Sequence, residues 1–121
     1  DMKGEMKLMP FIGNKVTVKI SEEKEKIIKE KLGKAIELLG KSEEYLMVGF
    51  EDNYKLYFAG EKLEKGAFIQ VKLFGKASSE AYEKLTVEIC KIYEEELKIP
   101  KDKIYVKYEE VSNWGWNGFN F

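Results

Sequence analysis

The stretch "AFIQVKLFGKASSEAYEKLTVEICKIYEEELKIPKDKIYVKY", residues 67–108, decides the fold. Its opening residues 67–74, "AFIQVKLF", read as a strand, with apolar and polar side chains alternating over 69–73. Ser78 or Ser79 then offers a hydroxyl to cap a helix whose inner face carries Ala81, Leu85, Ile89, Ile92 and Leu97. Ile104 to Tyr108 reads as a closing strand. The whole stretch is one β-α-β unit.

The same pattern runs through the first part of the chain. Residues 11–20, "FIGNKVTVKI", alternate as a strand does, and Ser21 followed by Glu22 and Glu23 marks a capped, acidic helix start. Ile28, Leu32, Ala35, Ile36 and Leu39 recur at helical spacing until Gly40 ends the run. Tyr45 to Phe50, "YLMVGF", predicts a short buried strand, and Tyr45 and Tyr105 stand at equivalent places in the two copies. A duplicated β-α-β unit predicts an α+β fold with two helices on one side of a mixed four-stranded sheet, in ferredoxin-like layers.

Two pieces lie outside the repeat: "YKLYFAG" at 54–60, which is strand-like, and the tail "NWGWNGFNF" at 113–121. In the tail, Asn117-Gly118 flanked by aromatics predicts a hairpin turn. A sheet with helices on one side only leaves an open face, and its apolar residues call for cover by other copies of the chain.

At 121 residues the chain has the length of one domain, enough to bury about two-thirds of its unfolded surface. With 21 basic and 22 acidic residues interspersed, it presents no basic face for a polyanion. No apolar run is long enough to span a membrane or serve as a secretory signal, so a cytoplasmic location is expected. The lone Cys90 has no disulfide or Cys-x-x-Cys partner and reads as a small core residue. Histidine is absent, which excludes Ser-His-Asp triads, Cys-His pairs and histidine metal sites. A proton-transfer group must then be a carboxylate, a lysine, a tyrosine or a terminal amine.

Five segments carry a resemblance: "MPFI" at 9–12, "GKSEEYLMV" at 40–48, "FGK" at 74–76, "IPKDKIYVKY" at 99–108 and "WGWNGFNF" at 114–121. In order and spacing the chain resembles the macrophage migration inhibitory factor family of the tautomerase superfamily, as a bacterial-type member, from Pro10 to its end. The resemblance implies a homotrimer of duplicated β-α-β units. It implies keto–enol tautomerisation of aryl α-keto acids such as phenylpyruvate, or of dopachrome analogues, without cofactor or metal. By position, Pro10 would be the base, Lys41 would hold the substrate carboxylate, and the backbone N–H of Phe74 would assist. Tyr105 would enter from the neighbouring subunit, with Tyr45, Trp116 and Phe121 shaping an aromatic slot.

The chain departs from the family pattern in three places. Lys107 stands where the best-known members carry asparagine, which favours stronger carboxylate binding. The Cys-x-x-Cys of some members is absent, with Gly66 and Ile69 near those positions. Residues 1–9, "DMKGEMKLM", precede the proline and read as an extension, from cloning or from a mis-assigned start, ahead of a single domain over 10–121.

The extension matters because a proline nitrogen inside a peptide bond is a non-basic amide, whereas at a chain start it is a secondary amine. Removal of Met9 after initiation there would expose that amine. A terminal amine has a pKa of about 7.7–8.0, and apolar walls with nearby lysines lower it toward neutrality. The alternative reading is a non-enzymatic trimeric binding protein, cytokine-like, whose site the extension blocks. A third reading, RNA binding, rests on "KGAFIQV" at 65–71, which partly resembles an RNA-recognition strand but has Val71 where an aromatic belongs. The expected partners are an aryl keto acid and further copies of the chain, with neither nucleic acid nor membrane.

Overall fold

The computed structural model describes residues 9–40 and 43–121. Strand β1, Met9–Val16, leads into helix α1, Glu22–Ala35, which tightens into a 3₁₀ turn at Ile36–Leu39. After a second 3₁₀ turn, Glu43–Tyr45, comes β2, Met47–Glu51. The second unit is β5, Ala67–Phe74, helix α2, Ser79–Leu97, and β6, Ile104–Val111. Between the units lies a hairpin of β3, Tyr57–Phe58, and β4, Glu61–Lys62. The tail forms another hairpin from β7, Gly115–Trp116, and β8, Phe119–Asn120.

The main sheet has the order β2-β1-β5-β6. Within each unit the strands run parallel, while β1 and β5 meet antiparallel in the centre. This is the duplicated β-α-β architecture the repeat predicts. Strand pleating sends Ile12, Asn14 and Val16 of β1, and Ala67, Ile69, Val71 and Leu73 of β5, into the buried layer. Against them pack Ile28, Leu32, Ala35, Ile36 and Leu39 from the first helical segment and Leu85, Ile89 and Ile92 from α2. The alternate residues Phe11, Phe68, Phe74 and Tyr105 lie on the open face.

Local signals set the element ends. Ser21 Oγ accepts a hydrogen bond from the Lys24 amide, and Ser78 rather than Ser79 caps α2 by accepting from the Ala81 amide. Gly40 takes φ +88° after the first helical segment, a left-handed conformation that glycine adopts without Cβ strain. In the tail, Asn117 and Gly118 take φ +54° and +83°, the two positive values a tight hairpin needs.

Four sequence expectations need correction. The first strand starts at Met9 and ends at Val16 instead of spanning 11–20, because Thr17 leaves the sheet to bind the loop before β5. None of β2 is buried, and Met47 is 68% exposed, because β2 is an edge strand. Tyr45 closes a 3₁₀ turn ahead of β2 while Tyr105 is inside β6, so the two are not equivalent. Cys90 is half-buried at the margin of the core.

One buried polar residue has no counterpart in the sequence reading. Asn14 is 2% exposed, and its amide donates to the carbonyls of Ile12 at 3.2 Å and Gly49 at 2.9 Å. Its Oδ1 accepts from the hydroxyl of Tyr93, itself fully buried on α2. Every polar group of the Asn14 side chain therefore has a partner, as burial demands. The arrangement ties β1, β2 and α2 together.

Candidate active site

Pro10 is buried and stands opposite Leu73 of β5. The ladder to β2 begins one residue later, at Phe11, so β2 asks for no N–H from the proline. Preceding it, Met9 faces Phe74, the last residue of β5. From Phe74 an unbroken run of rings leads outward. Its ring centroid is 5.5 Å from that of Phe121, which is 5.3 Å from Phe119. Phe119 lies 6.4 Å from Trp116, and Trp116 meets Tyr45 edge-on at 5.9 Å. These separations are those of favourable aromatic pairs.

The tail hairpin makes this run possible. Pairing of Trp116 with Phe119 across the Asn117-Gly118 turn sets the rings side by side, and the Phe121 amide donates to the Trp114 carbonyl at 3.0 Å. Tyr45, Trp116 and Phe121, the three residues expected to shape the aromatic slot, thus gather in one chain, and Phe74, expected to contribute its backbone N–H, adds its ring to them. Phe119 joins them as the central link, although the sequence reading assigned it no role. Its place between two other aromatics in the tail was the available signal.

Tyr105 and Lys107 are elsewhere. Pro10 aligns through Leu73 with Glu110 of β6, and Tyr105 lies five residues down that strand. At roughly 3.3 Å per residue that is about 17 Å along the sheet. Tyr105 is 62% exposed and its ring meets Phe58 of the β3–β4 hairpin edge-on at 5.9 Å. Lys107 is exposed and pairs with Glu109 at 3.3 Å. Neither reaches Pro10 within one chain. Lys41 lies outside the described residues, immediately after Gly40.

The strongly perturbed groups sit on the helical side of the sheet. Burial, reinforced by a 2.6 Å hydrogen bond donated to Glu110, pushes Tyr82 up to about 12. Burial likewise raises Tyr108 to about 12, beside Tyr82 in a 4.6 Å ring stack. It raises Tyr93 and the Cys90 thiol as well. Between the helices, Lys31 and then Lys24 hold the Glu96 carboxyl below its usual range, and Glu96 in turn raises Lys31. These groups brace the helices and lie apart from the aromatic run. Among the described residues no cluster of three or more acidic, cysteine or histidine side chains is placed to hold a metal, and no helix is long and apolar enough to cross a membrane.

The family model for macrophage migration inhibitory factor (MIF) matches residues 9–121. The chain belongs to the macrophage migration inhibitory factor family. Its fold is close to that of Leishmania major MIF2, at 30% identity and TM-score 0.87, with 93% of this chain and 97% of that one covered. The macrophage migration inhibitory factor homologue from Prochlorococcus marinus is also 30% identical, at TM-score 0.82 over 92% of this chain and 98% of its own. The MIF-like protein EhMIF of Entamoeba histolytica is 28% identical, at TM-score 0.79 over 93% and 99%. The MIF match begins at Met9, one residue before the proline, and includes the whole aromatic tail.

Proposed function

We propose that this chain is a keto–enol tautomerase of aryl α-keto acids such as phenylpyruvate, with the Pro10 nitrogen as proton carrier after Met9 and the residues before it are removed. The observation that carries the reading is the aromatic run that ends on Phe74, opposite Met9 and so beside Pro10. An aryl ring bound along that run brings the carbon next to its carbonyl toward the proline nitrogen. Membership in the MIF family, with its match starting at Met9, supports the same assignment.

The chemistry needs a base and a partner for the developing enolate. As a free secondary amine, Pro10 takes the proton from the carbon alpha to the ketone. The electron pair of that C–H bond becomes the C=C of the enol, and the carbonyl oxygen takes a proton from solvent water, the prolinium later releasing its proton to water. The reverse direction returns the proton from the prolinium to carbon. Aromatic walls desolvate the ammonium form and nearby lysines repel it, so the amine is held as free base near neutral pH. Lys41 and the Phe74 backbone N–H receive the substrate carboxylate. Lys107 and Tyr105 act from a neighbouring subunit of a homotrimer, because about 17 Å of sheet separates Tyr105 from Pro10 within one chain.

The decisive comparison is phenylpyruvate tautomerisation by a chain that begins at Pro10 and by the 121-residue chain. Conversion is expected in the first and a loss of at least about a hundredfold in the second, where the base is an amide. Conversion at only the solvent rate in the chain that begins at Pro10 overturns the proposal. Light scattering on the same samples should give three times the chain mass; a monomer would remove Tyr105 and Lys107 from the site. Mass spectrometry of the protein made from its native gene tests whether Pro10 is the mature terminus.

A further inference from the structure

The hairpin between the two repeat units leaves a cleft against β6. Its walls are Phe58, Leu63, Phe68 and Tyr105, with Lys103 at one end, and its volume is about 230 Å³. The cleft is built. The Leu63 amide donates to the Leu56 carbonyl at 2.9 Å, and Thr17 at the end of β1 holds both Glu64 and Gly66. Gly66 lets Leu63 close in, since a Cβ there would stand 2.5 Å from Leu63 Cδ1 and that side chain would have to shift. At the mouth, Lys103 Nζ lies 4.9 Å from the centre of the Phe58 ring, and its nearest carboxylate, Asp102, is 3.6 Å away and three-quarters exposed.

Size and chemistry define the occupant. A cavity of about 150 Å³ with apolar walls accepts benzene, whereas whole small-molecule sites run from about 300 Å³ upward. This cleft therefore takes one aromatic ring of a larger molecule. The Lys103 ammonium favours an acid over an amine.

We propose that the cleft between the β3–β4 hairpin and Tyr105 is a specificity subsite, in which Phe58 and Lys103 select α-keto acids whose aryl group is larger than phenyl. The proposal rests on the tautomerase reading, because Tyr105 is both a wall of the cleft and the residue assigned to the neighbouring copy's site. A substrate reaching past Tyr105 enters the space beside Phe58. Phe58 also holds Tyr105 edge-on, so truncation at 58 widens the cleft and frees the tyrosine ring together.

Two measurements test it, and the first does not depend on catalysis. The 121-residue chain labelled with ¹⁵N is titrated with indole-3-acetate, a large aryl acid that cannot react. Shifts are expected at the amides of Phe58, Lys103 and Tyr105, and Phe58→Ala should weaken them at least about fivefold while the helix resonances stay in place. Phe58→Leu, which keeps apolar volume, should fall between, and Lys103→Met should weaken the acid's binding. Absence of shifts at those three amides, or shifts untouched by Phe58→Ala, overturns the subsite.

The second measurement compares phenylpyruvate with indole-3-pyruvate in the chain that begins at Pro10. Phe58→Ala should raise KM for the indole substrate at least about threefold more than it does for phenylpyruvate, whose smaller loss reports the freed Tyr105 ring. Equal effects on both substrates overturn the specificity role. Should the parent turn over neither substrate, the tautomerase reading fails, and the titration alone decides whether the cleft binds an aryl acid.

Discussion

The hydroxyl of Tyr93 donates a 2.6 Å hydrogen bond to Oδ1 of Asn14, inside the core and between α2 and the central strand β1. Asn14 spends its amide on two carbonyls, one of them Gly49 of the edge strand β2. A polar residue is thus one buried link between the first β-α-β unit and the helix of the second.

Tyr93→Phe leaves that oxygen buried without a donor. A loss of about 1–3 kcal/mol is expected from an orphaned buried acceptor, read by urea unfolding at fixed protein concentration. The double variant Asn14→Leu with Tyr93→Phe should lose less than the sum of its single changes, since one interaction is counted twice.

Glu96 accepts hydrogen bonds from Lys31 at 2.6 Å and Lys24 at 3.0 Å, bridging the two helices. These cations hold its carboxyl below the ordinary value, with the Lys31 bond the larger cause. A depressed folded value contributes stability above the unfolded pKa, and that stability disappears as pH falls through the folded one. Glu96→Gln should therefore be less stable than the parent at pH 7. Thermal unfolding of the two proteins should begin to converge as the pH drops below about 4, the ordinary carboxylate range, and should coincide only below the depressed folded value.

At the far edge of the sheet, Tyr82 of α2 and Tyr108 of β6 have values raised to about 12, chiefly by burial. The protonated phenols are the stabilised forms, so their contribution is whole below the ordinary value of about 10 and is lost as pH rises through about 12. An alkaline titration followed by phenolate absorbance should show a late step in that window. Tyr82→Phe or Tyr108→Phe should each shrink it by one phenol.

Gly118 occupies φ +83° in the tail turn, where a side chain costs about 1–2 kcal/mol. Gly118→Val should unfasten the hairpin without disturbing the sheet. Both tryptophans of the chain, Trp114 and Trp116, lie in this tail, so emission reports it directly. A red shift with unchanged far-ultraviolet circular dichroism is expected, and in the chain beginning at Pro10 a several-fold rise in KM for phenylpyruvate. Unchanged emission would show that the turn tolerates the side chain.

Local patterning sufficed for the elements and their duplication. Alternation marked β5, three- and four-residue spacing marked both helices, and Ser21, Ser78, Gly40 and Asn117-Gly118 announced where the chain would cap, stop or turn, because each acts on backbone within a few residues of itself. The aromatic lining of the candidate site was legible only through the family resemblance; local patterning supplied just the tail turn that lies among its rings. Burial and meeting were decided only by tertiary structure. Asn14 looks like any solvent-facing residue of an alternating strand until β2 and α2 close over it, and β2 looks like a core strand until the sheet order leaves it at the edge. The distance from Pro10 to Tyr105 follows from strand register, which couples residues far apart in sequence through the whole packed sheet, and no local signal carries that information.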